Sequence, residues 1–336
     1  MKVRQAIVMV GGKGTRLLPL TENKPKPMLS VADRPCIWYL LKSLASAGIE
    51  EVILACGYKP GMMEPIGNGS DLGIRIIYSY EDEPLGTAGA MKNAESKLDD
   101  VFIAANGDVF ADIDVVAEVD EHLRSNATVT IALSSVDNPT EFGIARVGED
   151  GQILEFKEKP RPEEVFSNLI NAGVYVVNKE VLSRVPTSSF YDFSKDLVKD
   201  LIAEGMRVQS FMLKGGWRDV GRPYDLLEAN LSVASKMSRP VVPGCEISGI
   251  SYIGPGASVT GSVINDTVIS KGSTIKDSYM NRTLIMSGCC VDGAEIIDSI
   301  LGEGCKVGKG AKISKVILAD NTLVSDGEIV EGDYEL

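Results

Sequence analysis

The chain is short of histidine, of ordered cysteine motifs, of long apolar runs and of positive charge. Histidine occurs once in 336 residues, at His122. The six cysteines (Cys36, Cys56, Cys245, Cys289, Cys290, Cys305) show no CxxC spacing and no histidine partner, which speaks against a zinc site. They read as buried free thiols of a reducing, cytoplasmic setting. No segment reaches the roughly 20 apolar residues of a membrane span. The opening MKVRQAIVMV is too short in its apolar part to be a secretion signal. A net charge of −13 argues against nucleic-acid and membrane-surface partners, which select basic faces.

What is present is an ordinary globular composition, 44% hydrophobic and 24% charged, in a chain long enough for two domains. Residues 1–30 form a basic island: Lys2, Arg4, Lys13, Arg16, Lys24 and Lys26 against the single acid Glu22. An anionic small ligand therefore remains compatible with the acidic total.

Up to residue 238 short apolar strands alternate with amphipathic helices. Strands are expected at Arg4–Val10, Glu51–Cys56, Ile74–Tyr78, Val101–Ala105, Thr128–Leu133 and Ala172–Val177. Helical stripes run through Ile37, Leu40, Leu41, Leu44 and Gly48, through Val115 to Leu123, and through Leu197 to Ala203. This alternation predicts an α/β domain, a mostly parallel sheet with helices on both faces. Ligands in such sheets sit beyond the carboxyl ends of the strands. There the sequence places three glycine-bearing loops: GGKGTR after strand one, YEDEPLGTAGA after the third strand and NGD after the fourth.

From 239 to 336 the pattern changes. Ile253, Ile269, Ile285, Leu301 and Ile317 recur with a period of 16, each followed six residues later by Val259, Ile275, Val291, Val307 or Leu323. Between them four coils carry glycine (Gly256, Gly272, Gly288, Gly304) and the fifth carries Asp320. Branched residues at this spacing, with glycine at a fixed phase, predict a β-solenoid in which each coil stacks on the next.

The first loop matches neither a P-loop, which would end in Gly-Lys-Ser/Thr, nor a dinucleotide fingerprint. Instead GGKGTRLLPLTENKPKPML resembles the signature of the sugar-1-phosphate nucleotidyltransferases. EPLGTAGA, NGD, FGIA, EKP, NAGVY and WRDVG then follow in that family's order. The resemblance implies a Rossmann-like catalytic domain over 1–238 and a left-handed β-helix of hexapeptide type over 239–336. It implies in-line attack of a sugar-1-phosphate oxygen on the α-phosphorus of a nucleoside triphosphate, with pyrophosphate leaving. Chemistry of that kind asks for positioning and charge stabilisation.

Carried over motif by motif, Gly11, Gly12, Gly14 and Thr15 offer backbone N–H groups to the triphosphate, and Arg16 and Lys26 are the catalytic cations. Pro25 and Pro27 are expected to hold Lys26 extended and stiff. Lys13 and Lys24 are expected to be solvated, or weaker phosphate contacts. Gly86 and Thr87 join the nucleotide site. Asp108 and Asp219 resemble the ligands of a catalytic Mg²⁺, and Gly143, Glu158, Lys159 and Asn171 the sugar-phosphate pocket.

Glu81 stands where relatives using thymidine or uridine triphosphate typically have glutamine. A carboxylate accepts the two donors on the Watson–Crick edge of guanine but opposes the carbonyls of uracil and thymine. With the EPLGTAGA wording, this favours guanylyl transfer to mannose-1-phosphate; thymidylyl or uridylyl transfer to glucose-1-phosphate is the alternative. A non-catalytic regulatory relative would lack the intact Arg16, Lys26, Asp108 and Asp219. A β-helix acyltransferase would need a histidine base, and 239–336 has no histidine; His122 reads as a surface or partly packed helix residue. The coils are expected to supply packing surface for a homo-oligomer.

Overall fold

Runs such as QAIVM and EVILAC are apolar at nearly every position, so they are stable only where both faces of a strand are covered. The structure, a computed structural model describing residues 3–57, 60–111, 114–214 and 217–334, places them there. Lys2 and the tail residues Glu335 and Leu336 lie outside the described residues. The chain divides into two compact units: residues 1–12 with 37–217, and residues 13–36 with 218–336.

The first unit is built on one sheet, ordered Ile153–Glu158, Gly143–Val147, Leu169–Asn178, Val101–Asn106, Gln5–Met9, Glu51–Cys56, Arg75–Tyr80. Val129–Ser135 also pairs with Leu169–Asn178, and Val208–Met212 pairs with Val129–Ser135. The half from Val101–Asn106 to Arg75–Tyr80 is parallel. Leu169–Asn178 enters antiparallel to its neighbours, and Gly143–Val147 and Ile153–Glu158 form an antiparallel pair. The domain is thus α/β as expected, on a sheet that is parallel across the half from Val101–Asn106 to Arg75–Tyr80 and takes antiparallel strands at its other side. Its core gathers Ile7, Ile53, Phe102, Ile131, Tyr175 and Phe193.

His122 is 2% exposed, not a surface residue. Its Nε2 donates to Asn178 Oδ1 at 3.0 Å, the Asn178 orientation being fixed by Nδ2 donating to the Ala127 carbonyl. Nδ1 then accepts from the Thr130 hydroxyl at 2.9 Å.

In the second unit the strands from Glu246 onwards pair in parallel, coil on coil, and enclose Ile264, Ile269, Ile285, Ile296, Leu301 and Ile313. Successive coils are offset by 16 residues as far as Val291–Val307, but by 17 from Glu295–Lys312 onwards. One extra residue therefore sits between Gly308 and Ala311, and the fifth coil departs from the expected phase. Leu318, not Ile317, pairs with Leu301; Val324, not Leu323, pairs with Val307. Leu323 is accordingly 70% exposed and Val324 is 2% exposed. The left-handed corner held by Gly304 at φ +70 is taken by Asn321 at φ +62, asparagine being the residue that best tolerates it after glycine. Cys290 is exposed and Cys245 half-buried, against expectation; Cys36, Cys56, Cys289 and Cys305 are buried.

Candidate active site

Residues 13–36 are almost devoid of regular structure, and their shape is set by short turns. Gly14 at φ +62 opens a 3-10 turn over Thr15–Leu17, and the Thr21 hydroxyl donates to its carbonyl at 2.8 Å. A second 3-10 turn covers Lys26–Met28, with Pro25 preceding it at ψ 150 and Pro27 inside it. Lys26 is therefore helical rather than extended. It is stiffened all the same, because Met28 N–H bonds the Pro25 carbonyl and Leu29 N–H the Lys26 carbonyl.

This turn carries Lys26 to 7% exposure and aims it at Asp219, with Nζ 2.8 Å from Oδ1. Arg16 comes from the other side, its NH2 3.6 Å from Asp219 Oδ2, with half of its side chain in solvent. Gly221 lies beneath the pair: a Cβ there would stand 2.7 Å from Asp219 Oδ2 and 2.9 Å from Arg16 NH2. Two cations thus meet at one carboxylate, next to the exposed Thr15.

Lys24 is neither solvated nor directed at this cluster. Its Nζ lies 2.8 Å from Glu303 Oε1 and 3.5 Å from Asp320 Oδ2, on the solenoid coils.

In the first unit the expected loops do converge. Val10 N–H bonds the Ala55 carbonyl, and Gly107 N–H, from NGD, bonds the Met9 carbonyl at 2.9 Å. Gly11 and Gly12 are exposed. A Cβ at Gly57 would stand 3.2 Å from Glu81 Oε2 and 3.4 Å from the Gly11 Cα. Glu81 is half-buried and its Oε2 accepts the Leu85 N–H at 3.1 Å. Burial raises its pKa, and the bond from Leu85 partly offsets this. Asp108 follows in the turn after Val101–Asn106 and is half-buried. Among the described residues no group of three or more His, Cys, Asp or Glu forms a metal-binding cluster.

Gly86 and Thr87 open the helix Gly86–Asn93, a segment that reads as loop in sequence because it is rich in glycine and threonine. Gly86, at φ +73, lies against the Tyr191 backbone. The Thr87 hydroxyl donates to Asp192 Oδ2 and accepts from Phe193 N–H. Thr87 thus holds the segment 191–193, where Asp192 caps a π-helical turn through Ser194 and Lys195 N–H.

Of the residues expected to bind the sugar phosphate, Gly143 packs against Glu158, and Lys159 follows it in the chain. Gly143 is packed so closely that a Cβ would stand 2.5 Å from Glu158 Oε2. Trp217 donates to the Ala172 carbonyl at 2.8 Å and packs edge-on against Phe142. Asn171 donates to the Tyr175 and Ser194 hydroxyls and accepts from Gly173 N–H, so its amide orients neighbours. Lys159 is exposed, at φ +46. Burial and then the nearby Asp192 raise the Glu158 pKa, against the pull of Lys159 and Lys195. Sequence reading missed Asp192, Ser194 and Lys195. The only sign was the helix-capping pattern Asp192-x-Ser194.

Residues 5–236 match the family model described as nucleotidyl transferase, and residues 241–336 that of the GlmU-like C-terminal hexapeptide. The chain is 34% identical over 330 residues to mannose-1-phosphate guanylyltransferase of Mycobacterium tuberculosis, covering 97% of this chain and 82% of that protein. It is 33% identical over 350 residues to mannose-1-phosphate guanyltransferase of Aspergillus fumigatus, covering 98% and 94%. The crystal structure of HddC from Yersinia pseudotuberculosis complexed with GMP-PN superposes with a TM-score of 0.60 at 25% identity, covering 69% of this chain and all of that one. The chain is an enzyme of the nucleotidyl transferase family, with a hexapeptide-repeat β-helix as its C-terminal part.

Proposed function

We propose that the chain joins GTP and mannose-1-phosphate to give GDP-mannose and pyrophosphate. The observation that carries this reading is the run of mannose-1-phosphate guanylyltransferases matched along nearly the whole chain. Glu81 supports the base: its carboxylate lies beside Gly57 just past the strand Glu51–Cys56, where an acceptor suits the N1–H and N2–H₂ edge of guanine. The boundary between catalytic domain and β-helix falls near residue 238 in this reading. The enzyme works in the cytoplasm, and copies assemble through the β-helix.

The sugar-1-phosphate oxygen forms a bond to the α-phosphorus of GTP while the bond from that phosphorus to the β-phosphate oxygen breaks, and pyrophosphate departs. Arg16 and Lys26 hold the phosphoryl oxygens and counter the charge that builds as the bond breaks. Lys26, on a hydrogen-bonded turn, loses little freedom when it does so. Gly11, Gly12, Gly14 and Thr15 present backbone N–H groups. Glu158 accepts from sugar hydroxyls and Lys159 pairs with the sugar phosphate. Gly143 leaves room beside Glu158. Gly86 and Thr87 belong to the nucleotide site and Asn171 to the sugar-phosphate pocket, and their contacts with the segment 191–194 and with Tyr175 hold the walls in place.

For Mg²⁺ the donor chemistry fits. Asp108 and Asp219 offer hard carboxylate oxygens, and Asp219 is oriented by its ion pairs with Arg16 and Lys26. When bound, the ion would neutralise charge on the phosphates. Pyrophosphate release measured with four triphosphates and several sugar-1-phosphates tests the reading. GTP with mannose-1-phosphate should give the highest kcat/KM, and a preference for thymidine or uridine triphosphate with glucose-1-phosphate would overturn the choice of substrates.

A further inference from the structure

The solenoid grips the segment 13–36 on both sides of Lys26. Upstream, the Lys24 ammonium sits between Glu303 and Asp320 and is only 17% exposed, so its charge is spent on the coils. Asp320 is 14% exposed and set by its own backbone partner: Oδ1 accepts Glu303 N–H at 2.9 Å, tying two successive coils together.

Downstream, the hairpin Ser30–Val31 with Arg34–Pro35 turns through Ala32 at φ 43 and Asp33 at φ 67. Two consecutive left-handed residues without a glycine are unfavourable and need support from their surroundings. Here it comes from contacts. Asp33 Oδ1 accepts Lys271 N–H at 2.7 Å, Oδ2 accepts the Tyr252 hydroxyl at 3.0 Å, and Ala32 N–H donates to the buried Asn230 Oδ1 at 2.9 Å. The coil is shaped for this landing. A Cβ at Gly254 would stand 2.2 Å from Asp33 Oδ2 and 2.6 Å from Lys271 N, so no side chain fits beneath the carboxylate.

We propose that Lys24 and Asp33 are positioning residues, through which the β-helix fixes the Lys26 turn for catalysis; this rests on the role given to Lys26 above. Isolated surface ion pairs do little, but Lys24 and Asp320 are mostly buried and Asp33 is half-buried, each anchor has more than one partner, and the two stand at the ends of a ten-residue segment. With both ends held, the Lys26–Met28 turn has few ways to move, and small displacements of a catalytic group are costly to rate.

The experiment compares the full chain with Lys24→Met, Lys24→Arg, Asp33→Asn and the double variant Glu303→Gln/Asp320→Asn, by steady-state pyrophosphate release and by hydrogen exchange at the Leu17, Met28 and Leu29 amides. Lys24→Met, Asp33→Asn and the Glu303/Asp320 variant should each lower kcat about 10- to 100-fold, with KM for the triphosphate within about 3-fold. Combining Lys24→Met with the acid variant should cost no more than either, and Lys24→Arg should recover most of the rate. Exchange at the three amides should quicken in Lys24→Met while circular dichroism is unchanged. A raised KM in Lys24→Met that the acid variant does not share would make Lys24 a direct phosphate ligand and overturn the proposal. So would wild-type kcat in both. If the wild-type chain itself releases no pyrophosphate, the functional reading fails separately. Exchange then decides: unchanged protection in Lys24→Met overturns the anchoring, and faster exchange upholds it.

Discussion

Lys26 Nζ and Asp219 Oδ1 lie 2.8 Å apart although 193 residues separate them in the chain, and both side chains are largely buried. The pair joins the glycine-loop motif to the WRDVG motif. It leaves a lysine that is aimed and dry, the condition in which a cation interacts most strongly with a phosphoryl group.

Replacing Lys26 by alanine should lower kcat on the order of 100- to 1000-fold, as loss of one preorganised charge-stabilising donor does. Asp219 would still face Arg16, so the fold should persist. Steady-state rates with a thermal melt check this; undiminished kcat in a folded variant would remove Lys26 from the chemistry.

Glu81→Gln should lower kcat/KM for GTP relative to thymidine triphosphate by about 10-fold or more, because an amide offers one acceptor where guanine presents two donors. Competition between the two triphosphates at fixed mannose-1-phosphate measures it. An unchanged ratio would leave Glu81 as a structural acceptor for Leu85 N–H.

Chelation of divalent metal should abolish pyrophosphate release, and added Mg²⁺ should restore it. Asp108→Asn should raise the Mg²⁺ concentration needed for half-maximal rate by about 10-fold or more, as expected when a carboxylate ligand loses its charge. A variant with the wild-type Mg²⁺ dependence would exclude Asp108 as a ligand.

Stability should depend on pH through Glu118, which is wholly buried, with neither carboxylate oxygen hydrogen-bonded among the described residues. Burial raises its pKa from 4.5 to about 8, so the fold favours the protonated form. That contribution is complete below about 4.5 and is lost as pH rises towards about 8, at up to about 1.4 kcal/mol per pH unit. Glu118→Gln should therefore match the wild type near pH 4 and melt higher than it at pH 8. Parallel melting curves across that range would show that Glu118 does not carry the effect.

Much of the fold was legible because burial on both faces leaves an unmistakable mark: Glu51–Cys56 and Gln5–Met9 are apolar at every position after the first. The strands that escaped notice, Gly143–Val147, Ile153–Glu158 and Val208–Met212, are partly exposed and carry polar residues, so no apolar run announces them. In the solenoid the extra residue was hidden by doublets. Ile317 and Leu318 are both apolar, as are Leu323 and Val324, so either register satisfies the pattern and only backbone pairing decides. At the site, motif order placed the loops, since strand ends bring them together. The partners of Lys24 and Asp33 could not be read, because an ion pair between distant segments leaves no local pattern. Lys24 looks like any loop lysine until Glu303 and Asp320 are seen beside it.

The most direct measurement is the product itself. The purified chain, given GTP, mannose-1-phosphate and Mg²⁺, should yield GDP-mannose and an equal amount of pyrophosphate, in preference to any product from thymidine or uridine triphosphate with glucose-1-phosphate. Failure to form a nucleotide sugar from any such pair would contradict the proposed reaction.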